Sequence, residues 1–308
     1  MVVLIVSSLA ACQDMPRKPS ATHAKVATQA LQGEFDNHEQ AWLAHENTPG
    51  NVPPPHVVVS VEPTRVADWA VWHVRLDATP ELTATWAMHS VAQADGTSVW
   101  TPHRALASNT APPSAFDAAQ WTPLDACALR GKTGQRMDAD MAQCTAIAPG
   151  IGAEAALLPL SVDHEGEFLH VRLYADQARG ADAREDARLV RWFRGWAALN
   201  GGGPKADASS NDWHMDRGVR IGSEGGRFAL KWRDGNSSGY SLVLERLTYR
   251  EGNVPVLKLS VVEDADGHAL VYAWANPEAT RIGINLGWVQ VGLDLDSDAP
   301  VAGGKGQK

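Results

Sequence analysis

From Pro53 onward, apolar and polar side chains alternate in short runs, the pattern of half-buried β-strands. Val57 to Val61 is a β-branched run. Trp69 to Leu76 places Ala70, Trp72, Val74 and Leu76 on one face and His73 and Arg75 on the other. Leu82 to Ser90 sets Leu82, Ala84, Trp86 and Met88 against Thr83, Thr85 and His89. Asp95-Gly96 marks a turn into a partner strand over Thr97 to Leu106. Leu157 to Val162 and Phe168 to Tyr174 read as a hairpin across His164-Glu165-Gly166. Leu189 to Leu199 fits either a strand or a short helix. After the Gly201-Gly202-Gly203-Pro204 loop, strands are expected over Phe228 to Trp232, Tyr240 to Tyr249, Val254 to Glu263 and Ala269 to Ala275. A last strand is expected over Arg281 to Leu293, where Gly283, Gly287 and Gly292 mark bends or close backbone approach.

Apart from that alternative for Leu189 to Leu199, the helical pattern precedes these strands. Ser20 or Thr22 can cap it, and Val26, Ala27, Ala30 and Leu31 form one apolar face that Gly33 would end. Many antiparallel strands with hairpin turns and no helices between them predict a mostly β chain: a calyx-like antiparallel β-barrel with a short N-terminal helix, plus a second β-rich region.

Before the helix lies an apolar run, Val2 to Ala11, that ends in Leu9-Ala10-Ala11-Cys12. It is too short to span a bilayer and ends in small residues, as an export signal does, although no Lys or Arg precedes it. The closing Cys resembles the bacterial lipoprotein signal, in which Cys12 carries the lipid. The expected compartment is therefore the cell envelope, with the protein anchored by lipid at the periplasmic face of the outer membrane. The expected division is a signal over 1–12, a tether over 13–21, a barrel over 22–181, a β-rich region over 182–294 and a disordered tail over 295–308.

Composition narrows the partners. The 308 residues are 44% hydrophobic and 20% charged, which suits a globular chain, and no apolar stretch is long enough for a transmembrane helix. A net charge of −9 argues against a nucleic-acid partner. Cys127 and Cys144 remain once Cys12 is assigned, and an exported pair is expected to form a disulfide. No histidine lies near that pair and none has zinc-site spacing, so neither a metal nor a cofactor is implied. Twelve Trp, against five Phe and four Tyr, can fill a core or line a ligand cavity.

Gly33-Glu34-Phe35-Asp36-Asn37-His38-Glu39-Gln40 resembles the opening Gly-x-Phe-x-Asn-x-x-Gln motif of the CpcT/CpeT chromophore lyase family. Thr101-Pro102-His103-Arg104 lies where that family has Pro-Tyr-Arg, and Cys127 and Cys144 resemble its two Cys-bearing segments. The likeness covers Ala24 to Arg179, about half the chain. It implies a calyx-like barrel that binds a linear tetrapyrrole bilin and delivers it to a cysteine of a phycobiliprotein. On that basis Phe35, Asp36, Asn37 and Gln40 would support the cavity mouth, and Arg104 would meet a propionate or equivalent acid; Trp72 and Trp86, from the Trp-rich alternating strands, and His103 are further candidate ligand-binding residues. Two positions depart from the family: His103 replaces its tyrosine, and Trp86-Ala87-Met88-His89 replaces its Tyr-x-Glu-Gln, removing the acid. Asp36-Asn37 also suits an Asx turn, and Arg104 a surface strand.

Other motifs carry less. Gly235-Asn236-Ser237-Ser238-Gly239 matches Gly-x-Ser-x-Gly, but strands flank it on both sides where a nucleophile elbow needs a helix after it. Gly150-Ile151-Gly152 lacks a surrounding βαβ unit, and Asp294, Asp296 and Asp298 lack the Gly and Glu of a calcium loop. Two functional expectations remain: a lyase-like carrier of a bilin or other apolar, acid-bearing small molecule, or a non-catalytic envelope scaffold that binds another protein.

Overall fold

The structure is a computed structural model that describes residues 31–47, 53–77, 80–106, 113–132, 134–206, 209–249 and 254–297. Cys12 with its apolar run, the tether, the expected first helix up to Ala30 and the tail beyond 297 lie outside the described residues.

The alternating runs become strands of a closed antiparallel barrel. Its first half comprises β1 (Gly33–Asp36), β2 (His56–Pro63), β3 (Trp69–Asp77), β4 (Leu82–Ala92) and β5 (Thr97–Ala105). A short β6 (Trp121–Pro123) pairs with the end of β5 as a lip. The second half comprises β7 (Leu129–Lys132), β8 (Met137–Ala139), β9 (Pro159–Glu165), β10 (Phe168–Leu173) and β11 (Glu185–Leu189). The wall runs β4-β3-β2-β1-β11-β10-β9-β8-β7-β5, and pairing of β5 with β4 closes ten strands into a ring. Closure removes the edge strands that an open sheet would expose.

The inward face follows the alternation. Phe35, Val59, Trp72, Val74, Trp86, Met88, Trp100, Leu129, Leu160, Leu169 and Val171 meet in one buried cluster. A 3₁₀ turn over Ala153–Leu157 packs against β3 and β4, and Trp86 Nε1 donates to Leu157 O at 3.0 Å. The thinnest part of the wall is β8, which pairs with β9 only through Met137–Val162 and Asp138–Ser161. The helix that follows it, Met141–Ile151, is capped by Asp140, whose carboxylate accepts from the amides of Ala142 and Gln143. Cys127 and Cys144 are disulfide-bonded, as expected, which ties that helix to the segment before β7. For a separation of 17 residues, the chain-entropy model gives about 3 kcal/mol of stabilisation.

Two helices were not legible, the one over Met141–Ile151 and α1 (His38–Asn47), which follows β1 directly; Gly33 starts that strand instead of ending a helix. The helix Met141–Ile151 is therefore α2. The expected boundary at 182 also moves, because β11 completes the barrel.

Eight further strands form the second module: β12 (Trp192–Asn200), β13 (Trp213–Gly222), β14 (Glu224–Lys231), β15 (Ser237–Tyr249), β16 (Val254–Glu263), β17 (Ala269–Ala275), β18 (Arg281–Leu286) and β19 (Val289–Leu295). They make two four-stranded sheets, β13-β12-β19-β18 and β14-β15-β16-β17, whose inner faces share one core around Phe193, Leu244, Leu259 and Leu293. The single strand expected over Arg281 to Leu293 is a hairpin that turns at Gly287-Trp288. Gly292 keeps the role read from the sequence: a Cβ there would lie 2.8 Å from Trp196 Nε1.

Charge joins the modules. Arg188 of β11 donates to Glu224 Oε2 through Nε at 3.1 Å and Nη2 at 2.9 Å, and Nη2 also reaches Arg246 O at 2.8 Å. Glu39 Oε2 lies 2.9 Å from Arg188 Nη2, and Arg246 Nη2 donates to Glu167 at 2.6 Å. Burial pushes the Glu224 carboxyl up to about 7, against the pull of Arg188 and Arg246.

Candidate functional site

The residues singled out by the sequence separate into three places. Trp72 and Trp86 are 1% and 0% exposed and pack inside the barrel, so they offer no surface to a ligand. Phe35 lies in the same cluster, with its ring edge-on to His164 at 6.1 Å. The expectation that the two tryptophans line a hollow is corrected: together with Phe35, Met88, Trp100 and the smaller valines and alanines of the inward face they pack the ring.

Asp36, Asn37 and Gln40 form a clasp where β1 leaves the barrel. Asn37 Oδ1 accepts from Val57 N at 2.7 Å. Its Nδ2 faces Pro55 O at 2.9 Å, Gln40 Oε1 at 3.0 Å and Glu185 Oε2 at 2.5 Å. Gln40 Oε1 accepts from Asp186 N at 3.1 Å, and its Nε2 donates to Arg184 O at 3.0 Å. Asp36 Oδ1 caps α1 through His38 N at 2.7 Å and meets His56 Nε2 at 2.7 Å, while His56 Nδ1 meets Asp77 at 2.5 Å. Burial alone would depress the His56 pKa, but the bonds and charges of Asp36 and Asp77 outweigh it and raise it. Glu185 is fully buried beside Asp176 and paired with Arg179. Burial first, then Asp176, pushes its carboxyl up to about 8 against the pull of Arg179 and Asn37. The motif thus ties β1, the approach to β2 and β11 together, and its polar atoms are engaged with their own chain.

His103 and Arg104 lie on opposite faces of β5. His103 packs outside the barrel, 4.6 Å from the Trp69 ring, with His89 and Phe116 around the same tryptophan. Burial lowers the His103 pKa, and Nδ1 faces Thr101 O at 2.9 Å. It is a packing residue of an aromatic cluster. Arg104 pairs across the sheet with Trp86 and shares its inward parity, but stands beyond the filled core, at the rim. There it borders a groove of about 600 Å³ whose apolar lining includes Leu106, Leu124, Ile147 and Ile151. The guanidinium is held loosely: Nη1 is 3.4 Å from Gly150 O, Nε is 3.9 Å from Glu154, and the side chain is 43% exposed.

Among the described residues, no group of three His, Cys, Asp or Glu could hold a metal ion. Ser237 opens β15 after a tight turn, its hydroxyl accepting from Gly239 N at 3.2 Å, and no histidine bonds it among the described residues. No described helix is long and apolar enough to cross a membrane. Compared with family models, with curated proteins and with solved structures, the chain finds no match in any of the three.

Sequence reasoning missed Glu185, His56 and Asp77. Glu185 lies 148 residues from Asn37, and no local spacing announces such a partner.

Proposed function

We propose that this chain is a CpcT/CpeT-like carrier that takes an apolar, acid-bearing small molecule at the barrel rim, without catalysing its transfer. The observation that carries the reading is Arg104: a guanidinium without a close carboxylate, at the edge of an apolar groove large enough for a small ligand. An arginine fork pairs with a carboxylate through two parallel bonds, while Leu124, Ile147 and Ile151 would cover the apolar body. The acid missing at Trp86-Ala87-Met88-His89 and the packed interior favour binding over bilin transfer. The cell envelope, reached through Cys12 and its lipid, is the compartment that goes with this reading. A disulfide such as Cys127–Cys144 persists in oxidising spaces, which supports it.

Titration of the intrinsic Trp fluorescence with biliverdin and with palmitate tests the proposal. We expect saturable binding of at least one, weakened at least tenfold in Arg104→Met. Binding of neither, or equal binding by the variant, would overturn it.

The scaffold reading keeps one observation of its own. Tyr272 and Trp274, adjacent on the outer face of β17 with ring centroids 5.3 Å apart, are both more than half exposed, as aromatic residues at protein contacts often are before a partner binds.

A further inference from the structure

Where the barrel meets the second module, a cleft of about 680 Å³ opens between β1 and β2 on one side and Trp192 and Arg220 on the other. We propose that this cleft binds a short zwitterionic peptide, with the peptide ammonium on Glu34 and its carboxylate on Arg220.

Glu34 supplies the acid. Its carboxylate accepts one long hydrogen bond, from Ser60 Oγ at 3.3 Å, and no cation lies within ion-pair distance of it among the described residues. Burial is the main influence on this carboxyl and raises its pKa. Asp36 adds to the rise, and Ser60 with the more distant Arg75 and Arg220 pulls against it. A half-buried carboxyl in that state gains most from a donor that arrives with a positive charge.

Arg220 supplies the base. Its guanidinium lies over the Trp192 ring, 3.8 Å from the centroid, which fixes the plane of the fork. Its nearest carboxylate, Asp296, is 3.9 Å away and already held by Arg194 at 2.7 Å. Arg65, exposed at the same cleft, has no carboxylate within ion-pair distance among the described residues.

One cleft therefore presents an acid without a cation, a base whose acid is distant and shared with Arg194, and a second base, Arg65, without an acid among the described residues. A simple anion would face Glu34 and Glu62, and a simple cation would leave Arg220 with only its long contact to Asp296. A ligand carrying both charges satisfies both walls. Cavities of this size, common at the junctions of modules, hold several peptide units more readily than one amino acid.

Calorimetric titration of the full chain tests this with triglycine, N-acetyl-triglycine and triglycine amide, which differ only at the two charged ends. Triglycine should bind saturably, and blocking either end should weaken binding at least tenfold. In Glu34→Gln the acetyl block should lose its penalty, and in Arg220→Met the amide block should lose its own. The two blocked peptides probe the unmodified protein, so the outcome does not depend on either variant folding. No binding of triglycine, or a blocked peptide bound as well as the free one, refutes the proposal.

Discussion

Asn37 and Arg104 belong to the same barrel but are built into it in opposite ways. Asn37 is buried, and both ends of its amide bond to Val57, Pro55, Gln40 and Glu185. Arg104 is nearly half exposed and makes two long contacts, to Gly150 and Glu154. Both positions come from the same family resemblance, which places Asn37 at the cavity mouth and Arg104 on the ligand's acid. What separates them is how fully their own chain satisfies them. A buried polar group with every donor and acceptor engaged holds strands in place, and removing it leaves its partners unpaired. A charge with loose partners at the edge of an apolar groove retains bonding capacity for something else.

Three measurements can break or sharpen this contrast. The largest effect is expected from Asn37→Ala, which strips the amide of Val57 and the buried Glu185 of a partner. We expect a loss of about 3 kcal/mol in urea unfolding, and a loss below about 1 kcal/mol would end the structural reading of the clasp. A smaller, pH-dependent effect is expected from His56→Gln. Because the folded pKa of His56 is raised, its contribution to stability is complete below the ordinary histidine value and disappears as pH rises through the folded value. The stability gap between wild type and variant should thus be wider near about pH 6 than near about pH 9; a gap that widens with pH would exclude a charged imidazole between Asp36 and Asp77. The smallest effect is expected from Arg104→Met, which should unfold within about 0.5 kcal/mol of wild type while losing ligand affinity. A large loss of stability there would move Arg104 to the clasp's side of the comparison.

The strands were readable where one face meets the core and the other meets water. Trp69 to Leu76 and Leu82 to Ser90 alternate for that reason, and both appear at the expected positions. β13 escaped notice because most of Trp213–Gly222 is exposed or half-buried, so it carries no apolar stripe. The helix α1 escaped for a related reason. It docks on the second module through polar and aromatic contacts, His38 with Glu245 and Trp42 with Tyr249, where an apolar face would have shown in the pattern. The structural role of the Gly-x-Phe-x-Asn-x-x-Gln run depends on Glu185 and on the start of β2, which only folding brings near. The rim position of Arg104 likewise depends on where the Ala153–Leu157 turn packs, which no spacing along β5 reveals.

The seam between the modules reaches further than its size suggests. Arg188 and Glu39 come from the barrel, Glu224 and Arg246 from the sheets beyond it, and each cation's acid includes one from across the seam. Cutting the chain after β11 would break Arg188–Glu224 and Arg246–Glu167, leaving Arg188 with Glu39 and Arg246 with Glu224, so each buried cation would keep one acid of its two. Barrel and sandwich are in this sense a single inheritance: either half shuffled into another protein would leave behind one of the two acids that neutralise its seam arginine.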